Sequence, residues 1–137
     1  GFRAETDVDS KATNGGDGDK PTPLYPDAPP VEYGMHYVAW TADGEWIRLT
    51  VDIQKTGLYD VYLFYSANGQ NARASFSIDG VDKIPGGIAL PTTGYYHQWY
   101  ETKIAQIQLE KGRRVLQFNE LRADGTNFAF LTFKSAN

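Results

Sequence analysis

The chain has no cysteine, so neither a disulfide framework nor a thiolate metal site is open to it. It has only two histidines, His36 and His97, and a metal site or catalytic triad built on imidazole would have to recruit both from separate strands. No Gly-x-Ser-x-Gly elbow is present. No apolar run reaches the roughly 20 residues of a membrane-spanning helix, and membrane insertion is not expected. Positive charge is also scarce. The net charge is −4, and Lys and Arg are scattered except at Lys111-Gly112-Arg113-Arg114, which reads as a solvated turn. A nucleic-acid partner would require a basic face, so none is expected.

The 17 acidic residues leave room for a glycosidase-like carboxylate pair, but none sits in a suggestive motif, and the chain is not expected to be an enzyme. The stretch shows no signal peptide, and any export signal is expected to lie outside it.

What the chain does have is aromatic residues, 14% of the total and rich in Tyr, together with many Gly and Pro. That mixture favours short strands joined by tight turns, and 137 residues suit one domain. Residues 1–30 are polar and irregular, with an acidic glycine run from Asn14 to Asp19 and five prolines between Pro21 and Pro30. They read as a loop or linker, with Phe2 and Ala4 hinting at an edge strand. The acidic glycine run, Asp17 and Asp19 included, reads as solvated.

From residue 31 to 137 the pattern becomes that of a folded module with a repeat of two. Ile47, Leu49, Val51 and Ile53 alternate with Arg48, Thr50 and Asp52, as in a half-buried strand. Leu58 to Ser66 is apolar on both faces and is expected to lie centrally in its sheet. Asp79-Gly80 is a hairpin signal. Further strands are expected at 72–79, 96–102, 104–109, 115–119 and 127–133. Some eight to ten strands without an amphipathic helix predict an all-β fold, a sandwich or a barrel.

Six segments, in order, resemble carbohydrate-binding modules of family 6 and the related family 35. They are Val38 to Val51 around Trp40-Thr41-Ala42-Asp43-Gly44-Glu45-Trp46, Thr56 to Val61, Phe76-Ser77-Ile78-Asp79-Gly80, Thr93-Gly94-Tyr95-Tyr96-His97-Gln98-Trp99, Leu109 to Leu116, and Asn127 to Phe133. The resemblance implies a jelly-roll β-sandwich of two antiparallel sheets that binds sugar without catalytic machinery. It also implies a polysaccharide or oligosaccharide partner, a catalytic domain in the same full-length chain, and a secreted, periplasmic or cell-surface location.

Sugar rings present apolar C–H faces rimmed by hydroxyls, so a binder needs exposed aromatic plates and a few polar groups. By the resemblance, Trp40 and Tyr96 are the aromatics and Asn127 the amide. Tyr37, Tyr95 and His97 are candidates for the rim, and Asp43 and Glu45 are candidate acceptors for hydroxyls. Trp46 and Trp99 read as core. Asn127 could equally cap its strand. The resemblance further implies a structural calcium with Glu5 as a ligand. Arg3 and Ala129 stand where oxygen-bearing side chains are usual. A second site on the concave sheet face stays open. So do two other functions, a protein-interaction sandwich that has lost sugar binding and a small glycan-active enzyme.

Overall fold

The computed structural model describes the backbone of Asp9–Ala12 and residues 18–136 other than Tyr33 and Trp40. Two sheets make up the domain. The first has the order β1 (Asp9–Ala12), β3 (His36–Ala39), β11 (Thr126–Ser135), β5 (Gly57–Ala67), β9 (Gln98–Leu109) and β2 (Lys20–Pro21). The second runs β4 (Glu45–Ile53), β10 (Gly112–Arg122), β6 (Arg73–Ile78) and β7 (Val81–Asp82), with β8 (Ile88–Ala89) also paired to β6. All pairings are antiparallel except β2 with β9. This is the expected jelly-roll sandwich, and no helix occurs among the described residues.

Alternation decides what each strand buries. Val61, Leu63, Tyr65 and Ala67 of β5 face Phe76, Leu116 and Phe118 across the main core. The opposite face of β5 builds a second, smaller core. Phe64 and Trp99 stack there at 5.8 Å, joined by Tyr37 and Ala39 and covered by Val31 and Met35. The first sheet is therefore buried on both faces, which explains the two-sided apolar reading of β5 and its place between β11 and β9.

The two strands expected at 96–102 and 104–109 are one. Val61 pairs with Ala105 and Tyr62 with Lys103, so Ile104 is the extra residue of a bulge that bends a continuous β9. The Asp79-Gly80 turn has φ of 50° and 82°, the positive pair that a two-residue hairpin requires. The expected edge strand around Phe2 and Ala4 falls outside the described residues.

Asp19 is not solvated. Its carboxylate oxygen accepts from Trp99 Nε1 at 2.8 Å and from His97 Nδ1 at 3.0 Å, and its side chain is almost wholly buried. The residues that follow extend this anchorage. Thr22 N donates to the Trp99 carbonyl (2.8 Å), and the Thr22 hydroxyl donates to the Thr93 carbonyl (2.7 Å). Several prolines here cannot donate to a ladder, so side chains supply the attachment instead.

Candidate functional site

Strand directions bring four segments to one end of the sandwich: residues 41–44 before β4, 68–72 after β5, 90–97 before β9 and 123–125 before β11. Backbone hydrogen bonds tie them together. Asn68 N donates to the Gly125 carbonyl (3.1 Å), Gly69 N to Asp124 (3.0 Å), Thr93 N to Ala67 (2.9 Å) and Gly44 N to Glu120 (2.8 Å). Loops bonded to one another in this way form a rigid platform, which lowers the entropic cost of ligand binding.

Tyr95 and Tyr96 crown this end, 50% and 42% exposed, with ring centroids 5.8 Å apart and planes at 65°. They make a corner of two aromatic walls. Tyr96 is fixed from two sides. Its carbonyl accepts from the Ser66 hydroxyl (2.6 Å) and from Asn127 Nδ2 (3.1 Å), while its ring lies over Gly125, where a Cβ would stand 3.1 Å from Cε1. Asn127 is buried, and its Nδ2 also reaches the Ser66 Oγ (3.2 Å). Only a donor can meet the Tyr96 carbonyl, so the amide nitrogen points inward. The structure sets Asn127 against the Tyr96 backbone, where its amide braces the loop.

Other expected residues fall elsewhere. Tyr37 is corrected: it is 3% exposed, with its ring 4.9 Å from Trp99 in the second core. It cannot offer a face to a sugar. Trp40 lies outside the described residues. Asp43 stands at the loop end with one oxygen accepting from Ala123 N (2.8 Å), so it holds the two loops together, while the other, 4.0 Å from Arg122 Nη1, faces out. His97 turns toward Asp19 and lies 5.7 Å from Tyr95, backing that ring from the side. Glu45 is buried and turned into the sandwich, away from any hydroxyl at the surface.

Trp99 is core, as expected, but Trp46 is not. Trp46 is 38% exposed on the outer face of the second sheet, with the Arg48 guanidinium 4.9 Å from its ring centroid. The parity of Ile47, Leu49, Val51 and Ile53 already places Trp46 on the other side with Arg48. A polar ladder runs beside it. Arg48 Nη2 donates to Gln117 Oε1 (2.8 Å), Gln117 Nε2 to Asn119 Oδ1 (2.8 Å), and Asn119 Nδ2 to Ser75 Oγ (3.3 Å).

Of the calcium set, Glu5 and Arg3 lie outside the described residues, and Ala129 offers only a methyl group. Among the described residues no group of three or more acidic or imidazole side chains is placed to hold a metal.

The family model for carbohydrate-binding modules of family 35 matches residues 27–133. A search of curated proteins finds no match. Among solved structures, the chain is similar to a family 6 module from a Cellvibrio mixtus lichenase in complex with cellotriose. That module has a TM-score of 0.69 and 16% identity, with 99% of this chain and 92% of that one covered. A family 35 module from Paenibacillus barcinonensis follows at TM-score 0.67 and 20% identity, covering 97% and 96%. One from Clostridium thermocellum stands at 0.66 and 20%, covering 94% and 91%. Identities this low speak for the shared sandwich, and the family model covers most of the chain, both cores and every loop of the aromatic end: the chain belongs to the family 35 carbohydrate-binding modules.

Proposed function

We propose that this carbohydrate-binding domain holds its glycan at the loop end of the sandwich, against the corner formed by Tyr95 and Tyr96, without carrying out catalysis. The observation that carries this is two exposed aromatic walls set on a hydrogen-bonded platform, with polar groups at its rim. Apolar sugar faces fit the walls, and hydroxyls reach the outward oxygen of Asp43. The domain would act outside the cell or in the periplasm. There it would raise the local concentration of a catalytic domain in the same full-length chain on its polysaccharide. A cycloisomaltooligosaccharide glucanotransferase from Paenibacillus, of which the similar region is 16% of the chain, is one neighbour in which the fold sits inside a longer protein.

The outer sheet face is a second binding surface in this proposal. Trp46 supplies an apolar plate and the Arg48–Gln117–Asn119–Ser75 ladder supplies polar groups along the strands, a layout suited to an extended chain.

Titration with a panel of plant, algal and bacterial polysaccharides and oligosaccharides, followed by tryptophan fluorescence, tests both surfaces. A saturable response abolished by Tyr96→Ala locates the glycan at the loop end, and one abolished by Trp46→Ala locates it on the sheet. Silence across the panel from folded protein favours a protein-interaction module. A calcium ion on Glu5 is the one cofactor the resemblance implies. A calcium-dependent rise in Tm that Glu5→Gln removes supports it, and an unchanged Tm excludes it.

A further inference from the structure

Two buried carboxylates take no part in either binding surface. Glu45 and Glu120 are directly opposed across β4 and β10, on the core side of the sheet, with exposures of 4% and 2%. Among the described residues no hydrogen-bond donor meets either oxygen of Glu120. The Thr41 hydroxyl, which would favour the ionised form, donates instead to the Thr126 carbonyl at 3.3 Å. A buried carboxylate without donors is costly, and such a group takes up a proton instead.

The surrounding charges act in the same direction. The carboxyl groups of Glu45 on the facing strand and Asp43 in the loop both disfavour a charge on Glu120. On β6 the residue opposite Glu120 is Ala74. Arg73 spends its guanidinium on the Gly86 and Gly87 carbonyls, and the exposed Arg122 extends to within 4.0 Å of Asp43. Across the core, β11 packs through Phe128 against Phe118, and its first three residues, Thr126, Asn127 and Phe128, carry no titratable side chain. Burial first, and then Glu45 and Asp43, push the Glu120 carboxyl up to about 8.

The pair also lies at the root of two site loops. Gly44 N donates to the Glu120 carbonyl (2.8 Å), and Ala123 N donates to the Asp43 carboxylate (2.8 Å). Immediately after Glu120 the register between β10 and β6 shifts, so the ladder is interrupted there.

We propose that Glu120 carries a proton in the folded domain at neutral pH, and that losing it to bulk base parts the loop roots at residues 41–44 and 123–125. The O–H bond breaks, the proton leaves to solvent, and the Glu120 carboxylate then carries a buried charge that no donor among the described residues meets. Water enters to hydrate it where the ladder is weakest, and the Gly44 and Ala123 contacts open. The loop end is thus a pH-sensitive element, whatever sugar it binds.

Amide hydrogen exchange, normalised to the intrinsic rate at each pH, tests this on the protein alone. Protection at Gly44 and Ala123 should fall by well over tenfold between about pH 7 and about pH 9.5, and by more than at the core amides of Leu63 and Tyr65, which follow global stability alone. In Glu120→Gln the protection at Gly44 and Ala123 should persist. An equal loss in Glu120→Gln, or no loss in the native protein, overturns the proposal. Should Glu120→Gln fail to fold, carbon-13 titration of the glutamate carboxyls in the native protein decides. One glutamate with a midpoint above about pH 7 is expected, and none above it overturns the proposal.

Discussion

The side-chain amide of Asn127 is bonded to the backbone of Tyr96, its nitrogen donating to that carbonyl at 3.1 Å while the Ser66 hydroxyl donates to the same oxygen at 2.6 Å. A residue on β11 and another on β5 thereby set where the loop presents its ring. In the proposed site the tyrosine is the contact surface, and Asn127 would act on the sugar largely through it.

That arrangement makes the two residues energetically coupled. Asn127→Ala leaves the Ser66 hydroxyl short of a donor and loosens the loop, at a cost of about 1–2 kcal/mol in urea denaturation. Sugar affinity should fall by about 5- to 30-fold. In a Tyr96→Ala background the same substitution should change affinity by less than about twofold. Additive losses in a double-mutant cycle would show that Asn127 contacts the sugar independently.

Gly125 supports Tyr96 from the other side and offers a controlled comparison. Its φ of +76° strains any L side chain, and a Cβ there would press on Tyr96 Cε1 at 3.1 Å and on Asn68 Cβ at 3.2 Å. Gly80 has a similar φ of +82° but open space around it. Both Gly→Ala variants should lose about 1–2 kcal/mol of stability from backbone strain. Only Gly125→Ala should also weaken sugar binding, because only there must an aromatic wall move. Equal affinities in the two variants would show that the Tyr96 ring is not held by this contact.

The strands were legible because burial on a pleated sheet imposes a period of two, as in Ile47 to Ile53, and because Asp79-Gly80 can hardly be anything but a tight turn. The aromatic loop was legible from its Gly94-Tyr95-Tyr96 run. Tyr37 was misplaced because its burial depends on Val31 and Met35 folding back over the outer face of the first sheet, a long-range event with no local pattern. Trp46 was misplaced for a different reason: a large apolar side chain outweighed a parity that was already visible. Glu120 carries no sequence signal, since its meaning lies in the register that sets it against Glu45.

Trp99 should be among the most costly positions to truncate. It is fully buried between Tyr37 and Phe64, and its Nε1 satisfies Asp19. Trp99→Ala should lose about 3–5 kcal/mol. Trp99→Phe retains most of the packing but removes the indole donor to the buried Asp19 carboxylate, and about 1–3 kcal/mol is expected. Asp19→Ala should raise hydrogen exchange at Thr22 N, whose bond to the Trp99 carbonyl depends on the same anchorage. Unchanged exchange there would mean that the Thr22 hydroxyl alone secures the segment.

Stability should depend on pH through Glu120, and the sign follows from proton counting. Its folded-state value, about 8, lies above the unfolded value of 4.5, so between those limits the native state binds more protons than the unfolded chain. Stability therefore falls as pH rises through this window and levels off above it. Asp60, held down chiefly by Lys103 and then by Gln106, and Asp79, held down chiefly by the Val115 amide and then by Arg114, work in the opposite sense. Their stabilisation is lost only as pH drops below the ordinary aspartate range, outside the window. Glu120→Gln keeps the shape of the neutral acid and removes the titration. Compared by urea denaturation, the variant should match the native protein near pH 4.5, gain on it steadily toward about pH 8, and hold that lead at pH 9. A difference that stays flat from pH 5 to 9 would mean that Glu120 is ionised in the folded protein throughout, with a donor reaching it in solution.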